Sequence, residues 1–194
     1  MNILKQLYPA LVITIILTVI TGVIYPLVVT GLANVMFKEQ AQGSLITKDG
    51  KVIGSRLIGQ QFQGAGYFHS RPSAAGNGYD ATSSGGTNLG PTSKKLMDSV
   101  KSNADALKAE NSTKPIPVDL VTSSASGLDP HITPAAAEFQ ISRVARERGM
   151  SEDEIKKIVQ LHTEGRQLGV LGEPRVNVLE LNLALNAAHP MPSK

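Results

Sequence analysis

Residues 11–30 read LVITIILTVITGVIYPLVVT, and no charged side chain lies between Lys5 and Lys38. Thirteen of these twenty residues are Leu, Ile or Val. At roughly 0.3–0.6 kcal/mol each, they favour bilayer insertion by about 4–8 kcal/mol. A bilayer core is crossed by about 20 mostly apolar helical residues, which predicts a transmembrane helix over 8–34 with residues 1–7 as an N-terminal tail. Thr14, Thr18, Thr21, Gly22 and Pro26 offset part of the gain. Pro26 frees a backbone carbonyl that Thr hydroxyls or a neighbouring helix must satisfy, so a kink is expected between Gly22 and Pro26. The three Thr residues favour contact with another helix. Gly31-Leu32-Ala33 would pass as a signal-peptide cleavage site, but the apolar stretch is much longer than an ordinary signal core. The segment reads as an uncleaved anchor.

Nothing beyond Lys38 approaches a second span, so residues 38–194 form one domain-sized, water-facing portion. Without Lys5, 18 basic residues face 16 acidic ones. There is no basic stripe with interleaved aromatics, which argues against nucleic acid as a partner. The chain has no Cys, and so no disulfide, zinc thiolate or Cys nucleophile. Lys38, Lys48, Lys51 and Arg56 follow the span, whereas only Lys5 precedes it. That imbalance votes for a cytoplasmic domain, but the rule loses force for long translocated domains.

Apolar runs at 44–47 and 51–55 flank Asp49-Gly50, a pairing that predicts a hairpin with a two-residue turn. Residues 64–90 form a long Gly/Ser/Ala/Asn-rich loop, and Tyr67, Phe68 and Tyr79 mark it as packed. Pro91 is expected to open a helix with Leu96, Val100, Ala104 and Leu107 on one face. Residues 118–122 read as a short strand, and 123–133 as a second polar loop. Thr133 with Pro134 predicts a helix to about Arg148, ended by Gly149. Ser151-x-x-Glu154 starts another, with Ile155, Ile158, Val159 and His162 as its stripe. Asn177-x-x-Glu180 starts a third, burying Val178, Leu181 and Leu185. The fold class is α+β: one transmembrane helix, then a helix-rich domain with a short hairpin or sheet and long Gly/Ser loops.

No catalytic group emerges from these motifs. Gly85-Gly86-Thr87-Asn88-Leu89-Gly90-Pro91-Thr92 has the glycine spacing of a phosphate loop, but Pro91 replaces the required Lys and removes a donor. A glycine loop leading to a helix start is the better reading. His69, His131, His162 and His189 are scattered without metal-ligand spacing, and no metal site is expected. Asp129-Pro130-His131 suits a turn better than an acid–base pair. Ser126 lacks both a base and a nucleophile-elbow pattern.

As strings, however, the loops are distinctive. Residues 67–74 (YFHSRPSA), 84–91 (SGGTNLGP), 121–123 (VTS), 126–132 (SGLDPHI) and 171–179 (LGEPRVNVL) resemble the C-subunit family of bacterial Kdp potassium-transporting P-type ATPases. The single span, motif order and length match as well. Ala125 stands where the family more often has Gly, and Thr87 where Ser is usual. The resemblance implies a non-catalytic subunit of an ATP-driven potassium importer in the bacterial inner membrane. Its implied partners are a channel-like potassium-selective subunit, an ATP-hydrolysing P-type subunit, a small accessory peptide and membrane lipid. One implied role is assembly, with the soluble domain on the outer face over the potassium entrance. The other is a catalytic chaperone raising the ATP affinity of the pump subunit in a ternary complex. No cofactor is expected to bind this chain strongly. Ser84, Gly85, Gly86, Thr87 and Asn88 are the candidates for nucleotide contact, since residues 83–87 resemble an ABC signature loop lacking its leading Leu and final Gln. Arg71, Asn88 and Asp129 are candidates for partner contact or loop ordering. The alternatives are an anchored extracytoplasmic small-ligand receptor and an anchored hydrolase.

Overall fold

The computed structural model describes residues 3–191, which divide between Leu45 and Ile46 into two compact units. The first is helical. Helix α1 (Ile3–Val19) continues through a π-helical turn at Ile20–Ile24 into α2 (Tyr25–Met36), and the short α3 (Lys38–Ala41) follows. The helix therefore begins inside the stretch expected as a tail and passes beyond residue 34. Lys5–Met36 is one 32-residue helix, long and apolar enough to cross a membrane. At about 1.5 Å per residue it measures roughly 48 Å, against a hydrocarbon core of about 30 Å.

The irregularity falls where proline chemistry requires it. Pro26 has no N–H, and in an α-helix its ring would press on the carbonyl four residues back. The backbone answers with a wider turn: Tyr25 N–H donates to the Ile20 carbonyl, five residues away. Thr18 and Thr21 do not wait for a neighbouring helix. Their hydroxyls donate to the Thr14 and Leu17 carbonyls of the same helix, each at 2.7 Å.

Leading into the second unit, β1 (Leu45–Lys48) and β2 (Lys51–Ser55) form the expected hairpin. Asp49 and Gly50 both take positive φ, 51° and 75°, which is the type I′ turn that matches strand twist. Helix α4 (Lys94–Glu110) starts three residues later than expected, because Pro91 and Thr92 occupy a turn closed by Ser93 N–H on the Gly90 carbonyl at 2.9 Å. Its Leu96, Val100, Ala104 and Leu107 face is only half-buried, and none of its residues is fully buried. Residues 118–122 are not a strand. Val118–Leu120 is a 3₁₀ turn that sinks the Asp119 carboxylate, which accepts from Thr133 N–H at 2.8 Å and from its hydroxyl at 3.2 Å.

Beyond it come β3 (His131–Ile132), α5 (Pro134–Arg148), α6 (Glu152–Leu161), β4 (Thr163–Glu164), β5 (Arg175–Asn177) and α7 (Val178–Ala188). The three long helices start at the expected caps: Thr133, the reciprocal Ser151–Glu154 box, and Asn177. Gly149, at φ 65°, ends α5. The three short strands make an antiparallel sheet in the order β3-β5-β4, with Ile132 opposite Val176 and Thr163 opposite Val176. Phe139, Val144, Ile155, Val176, Leu181 and Leu185 form the core, joined by Phe68 from the long loop. The architecture is the helix-rich α+β class expected.

Candidate functional site

The long loop is ordered by side chains from α5 and α7. Asn182 accepts from Phe68 N–H and donates to the Phe68 carbonyl, both at 2.9 Å. Gln140 treats His69 the same way, at 2.8 and 3.1 Å. Two carboxamides thus stand in for a neighbouring strand, meeting backbone groups that would otherwise be buried unpaired. Arg143, 7% exposed, donates to the carbonyls of Ala65 and Tyr67 and to Gln140, and pairs with Glu110 at 2.7 Å. Arg148 donates to Gly66 and lies over the Tyr67 ring at 5.0 Å. Burial and the nearby Arg143 charge push the His69 imidazole below its ordinary value, outweighing its bond to the Gly64 carbonyl and the Glu110 charge.

Downstream, this loop interlocks with the second polar loop. Arg71 donates to the Asp129 carboxylate at 3.2 Å and to the carbonyls of Thr122 and Ser123. The Tyr79 hydroxyl donates to the Arg71 carbonyl. Ser73 donates to the Gly127 carbonyl at 2.6 Å while accepting from the N–H groups of Ala75 and Tyr79. Ser84 Oγ and Gly85 N–H both donate to the Ser126 carbonyl. Gly127 is required here: its φ is +68°, and a Cβ would lie 2.6 Å from both Ala75 N and Gly85 O.

Asp129 is the hinge of this arrangement. Its second oxygen accepts from His131 N–H at 3.0 Å, opening β3. Burial alone would raise the Asp129 carboxyl; the His131 hydrogen bonds and the Arg71 guanidinium outweigh it and hold the carboxyl below its ordinary range. Arg71, Asp129 and His131 line a cleft of about 320 Å³ together with Asp119, Glu173 and Arg175. The 171–179 motif therefore meets the 67–74 and 126–132 motifs at one surface.

The structure brings Arg71 and Asp129 together and leaves Asn88 elsewhere. Asn88 is exposed at a left-handed turn, φ 51°. Of the nucleotide candidates, Ser84 and Gly85 are sewn to Ser126, while Gly86 packs so closely that a Cβ would meet the Ala125 carbonyl at 2.8 Å. Gly86 and Thr87 border a cavity of about 380 Å³ whose far wall is Lys95, Ser99 and Asn103 of α4. Ser126 Oγ accepts from Leu128 N–H at 3.1 Å and neighbours Ser124 Oγ at 3.4 Å, the geometry of a turn. Among the described residues, no group of three His, Cys, Asp or Glu side chains could hold a metal ion. Sequence reasoning missed Gln140, Arg143 and Asn182. For Asn182 the signal was a polar residue beside Val178, Leu181 and Leu185 on a face read as apolar.

A family model described as "KdpC: K+-transporting ATPase, c chain" matches residues 7–187. The potassium-transporting ATPase KdpC subunit of Koribacter versatilis (strain Ellin345) is 62% identical over 189 residues, covering 97% of this chain and 98% of that protein. The KdpC subunit of Rhodopseudomonas palustris (strain BisB5) is 58% identical over 95% of this chain and 98% of its own length. That of Bradyrhizobium diazoefficiens is 56% identical, again over 95% and 98%. With the apolar N-terminal helix and the motifs that meet around Arg71 and Asp129, these likenesses settle the family: the chain belongs to the KdpC subunits of the potassium-transporting ATPases.

Proposed function

We propose that this chain is a non-catalytic subunit that assembles with and steadies the channel-like and ATP-hydrolysing subunits of the potassium importer. In this reading its N-terminal helix sits in the inner membrane beside the channel-like subunit, and its soluble domain caps the outer potassium entrance. The observation that carries it is the fate of the hydroxyl and glycine motifs. They close on one another through Arg71–Asp129, Ser73–Gly127 and Ser84–Ser126, which suits a rigid docking surface better than a reaction centre. The side chains of Arg71 and Asp129 remain 25% and 29% exposed, so one pair serves both loop ordering and partner contact.

The catalytic-chaperone role is a second reading, in which ATP is met only in a ternary complex with the pump subunit. The cavity beside Gly86, Thr87 and Lys95 favours it, with 84–88 as the contact. It requires cytoplasmic access, which an outer-face domain does not have, so the assembly role is preferred.

The test is a mild-detergent pull-down of the tagged chain from potassium-starved cells, followed by an ATPase assay of the eluate. The expected eluate contains a P-type ATPase and a large multi-span partner with potassium-stimulated hydrolysis. A chain eluting alone from intact membrane extract overturns the reading. For sidedness, protease added to intact spheroplasts should cut the soluble domain; cutting only after lysis refutes the outer placement.

A further inference from the structure

The connection from β4 to β5 ends in an apolar tip. Leu168 is 89% exposed, more than any other large apolar residue among the described ones, and Val170 and Leu171 are 71% and 56% exposed. Scattered exposed aliphatics are ordinary, but three within four residues on one braced turn are not. Gln167 and Leu171 exchange N–H to carbonyl bonds, both at 2.9 Å. Arg166 reaches both carboxylate oxygens of Glu173, at 2.8 and 2.7 Å, and so closes the base of the turn. Leu168 sits at φ +52°, a conformation that suits Gly or Asn and strains a bulky residue. A leucine held there and left almost wholly exposed is a side chain on display.

Charge narrows the occupant. Arg166 is engaged by Glu173, and Arg175 by Glu164 at 2.9 Å. The turn carries no aromatic residue. Loops that enter a bilayer surface use free Lys or Arg for headgroups and aromatic rings at the interface. A neutral aliphatic tip on a neutralised base matches an uncharged protein socket better. Continuity adds to this, because Glu173 and Arg175 also line the cleft beside Arg71 and Asp129.

We propose that the turn 166–173 is a preformed knob that docks into an uncharged apolar socket on a neighbouring subunit of the ATPase. This rests on the subunit reading above. A braced knob loses little conformational freedom on docking, and a desolvated aliphatic tip is a suitable anchor for an interface.

The test is photo-crosslinking in native membranes, with Leu168 of the full chain replaced by p-benzoylphenylalanine and the other Kdp subunits co-produced. The expected adduct is to another ATPase subunit, identified by mass spectrometry. The Leu168→Asp/Val170→Asp double variant should lower co-purification of those subunits by about tenfold or more. Leu168→Gly suits the left-handed backbone and keeps the turn intact; it should also lower recovery, with an unchanged melting curve. Adducts to lipid alone would overturn the proposal. So would the absence of adducts with normal subunit recovery from both variants, which leaves the subunit reading standing. An unaltered chain that recovers no other subunit would overturn both.

Discussion

Arg143 shows how one side chain can organise a loop that has no secondary structure. Its guanidinium meets four partners on three segments while being almost fully buried. Arg143→Ala leaves the Ala65 and Tyr67 carbonyls and the Glu110 carboxylate uncompensated, at an expected cost of about 3–5 kcal/mol. Thermal melts of the full chain in detergent, followed by circular dichroism, would measure it; a loss below about 1 kcal/mol, a typical surface change, would refute the hub role. Asp129 makes a pH-dependent claim. Its carboxyl is held below its ordinary value in the folded chain, so the unfolded chain takes up the proton first as pH falls. Its contribution is therefore fully present above the unfolded value, about pH 4, and is lost as pH drops through the folded one. Asp129→Asn should lower stability at pH 7 and flatten this part of the acid limb below about pH 5. Parallel acid limbs for the two proteins would contradict that assignment.

Among the elements, those with local start and stop chemistry were legible in the sequence. Thr133-Pro134, Ser151-x-x-Glu154 and Asn177-x-x-Glu180 each satisfy orphan helix donors with neighbouring atoms, so no tertiary information was needed. Strands β3, β4 and β5 span only two or three residues, too few to show an alternating pattern. Residues 118–122 have strand-like Val residues, but the distant Thr133 takes the Asp119 carboxylate and forces a turn. The Arg71–Asp129 pair joins residues 58 apart in sequence; only the family-like strings marked them. Helix α4 begins late because a proline at the start of a periodic run can belong to the preceding turn. Its pattern is helical, yet it buries no residue completely, and local opening should therefore cost less than for α5 or α7. Hydrogen exchange of the full chain is expected to show 94–110 exchanging at least about a hundredfold faster than 136–145. Equal protection would mean that α4 is as firmly packed as the core helices.

For the molecule as a whole, the first unit holds a helix long and apolar enough to cross a membrane, and the second holds the buried core. Every residue of the main core cluster, from Phe68 to Leu185, lies in the second unit, whereas 5–36 is apolar with its side chains turned outward. Bilayer insertion would stabilise the apolar helix as water-driven burial stabilises the core, so neither is expected to need the other's contacts to fold. A chain beginning at Ile46 should be soluble and monomeric, and its helical circular dichroism should melt cooperatively within a few degrees of the domain in the full chain. It should also lose membrane retention. Its capacity to rejoin the other subunits then weighs the helix against the domain surface. If the interface resides in the Arg71–Asp129 cleft and its surroundings, the truncated chain added in excess should still compete with the full chain during assembly. If the helix supplies most of the contact, it should not compete at any concentration. An aggregated or unfolded truncated chain would refute the independence of the two units, and with it the view that the charge-free stretch before Lys38 serves only as anchor and lateral contact.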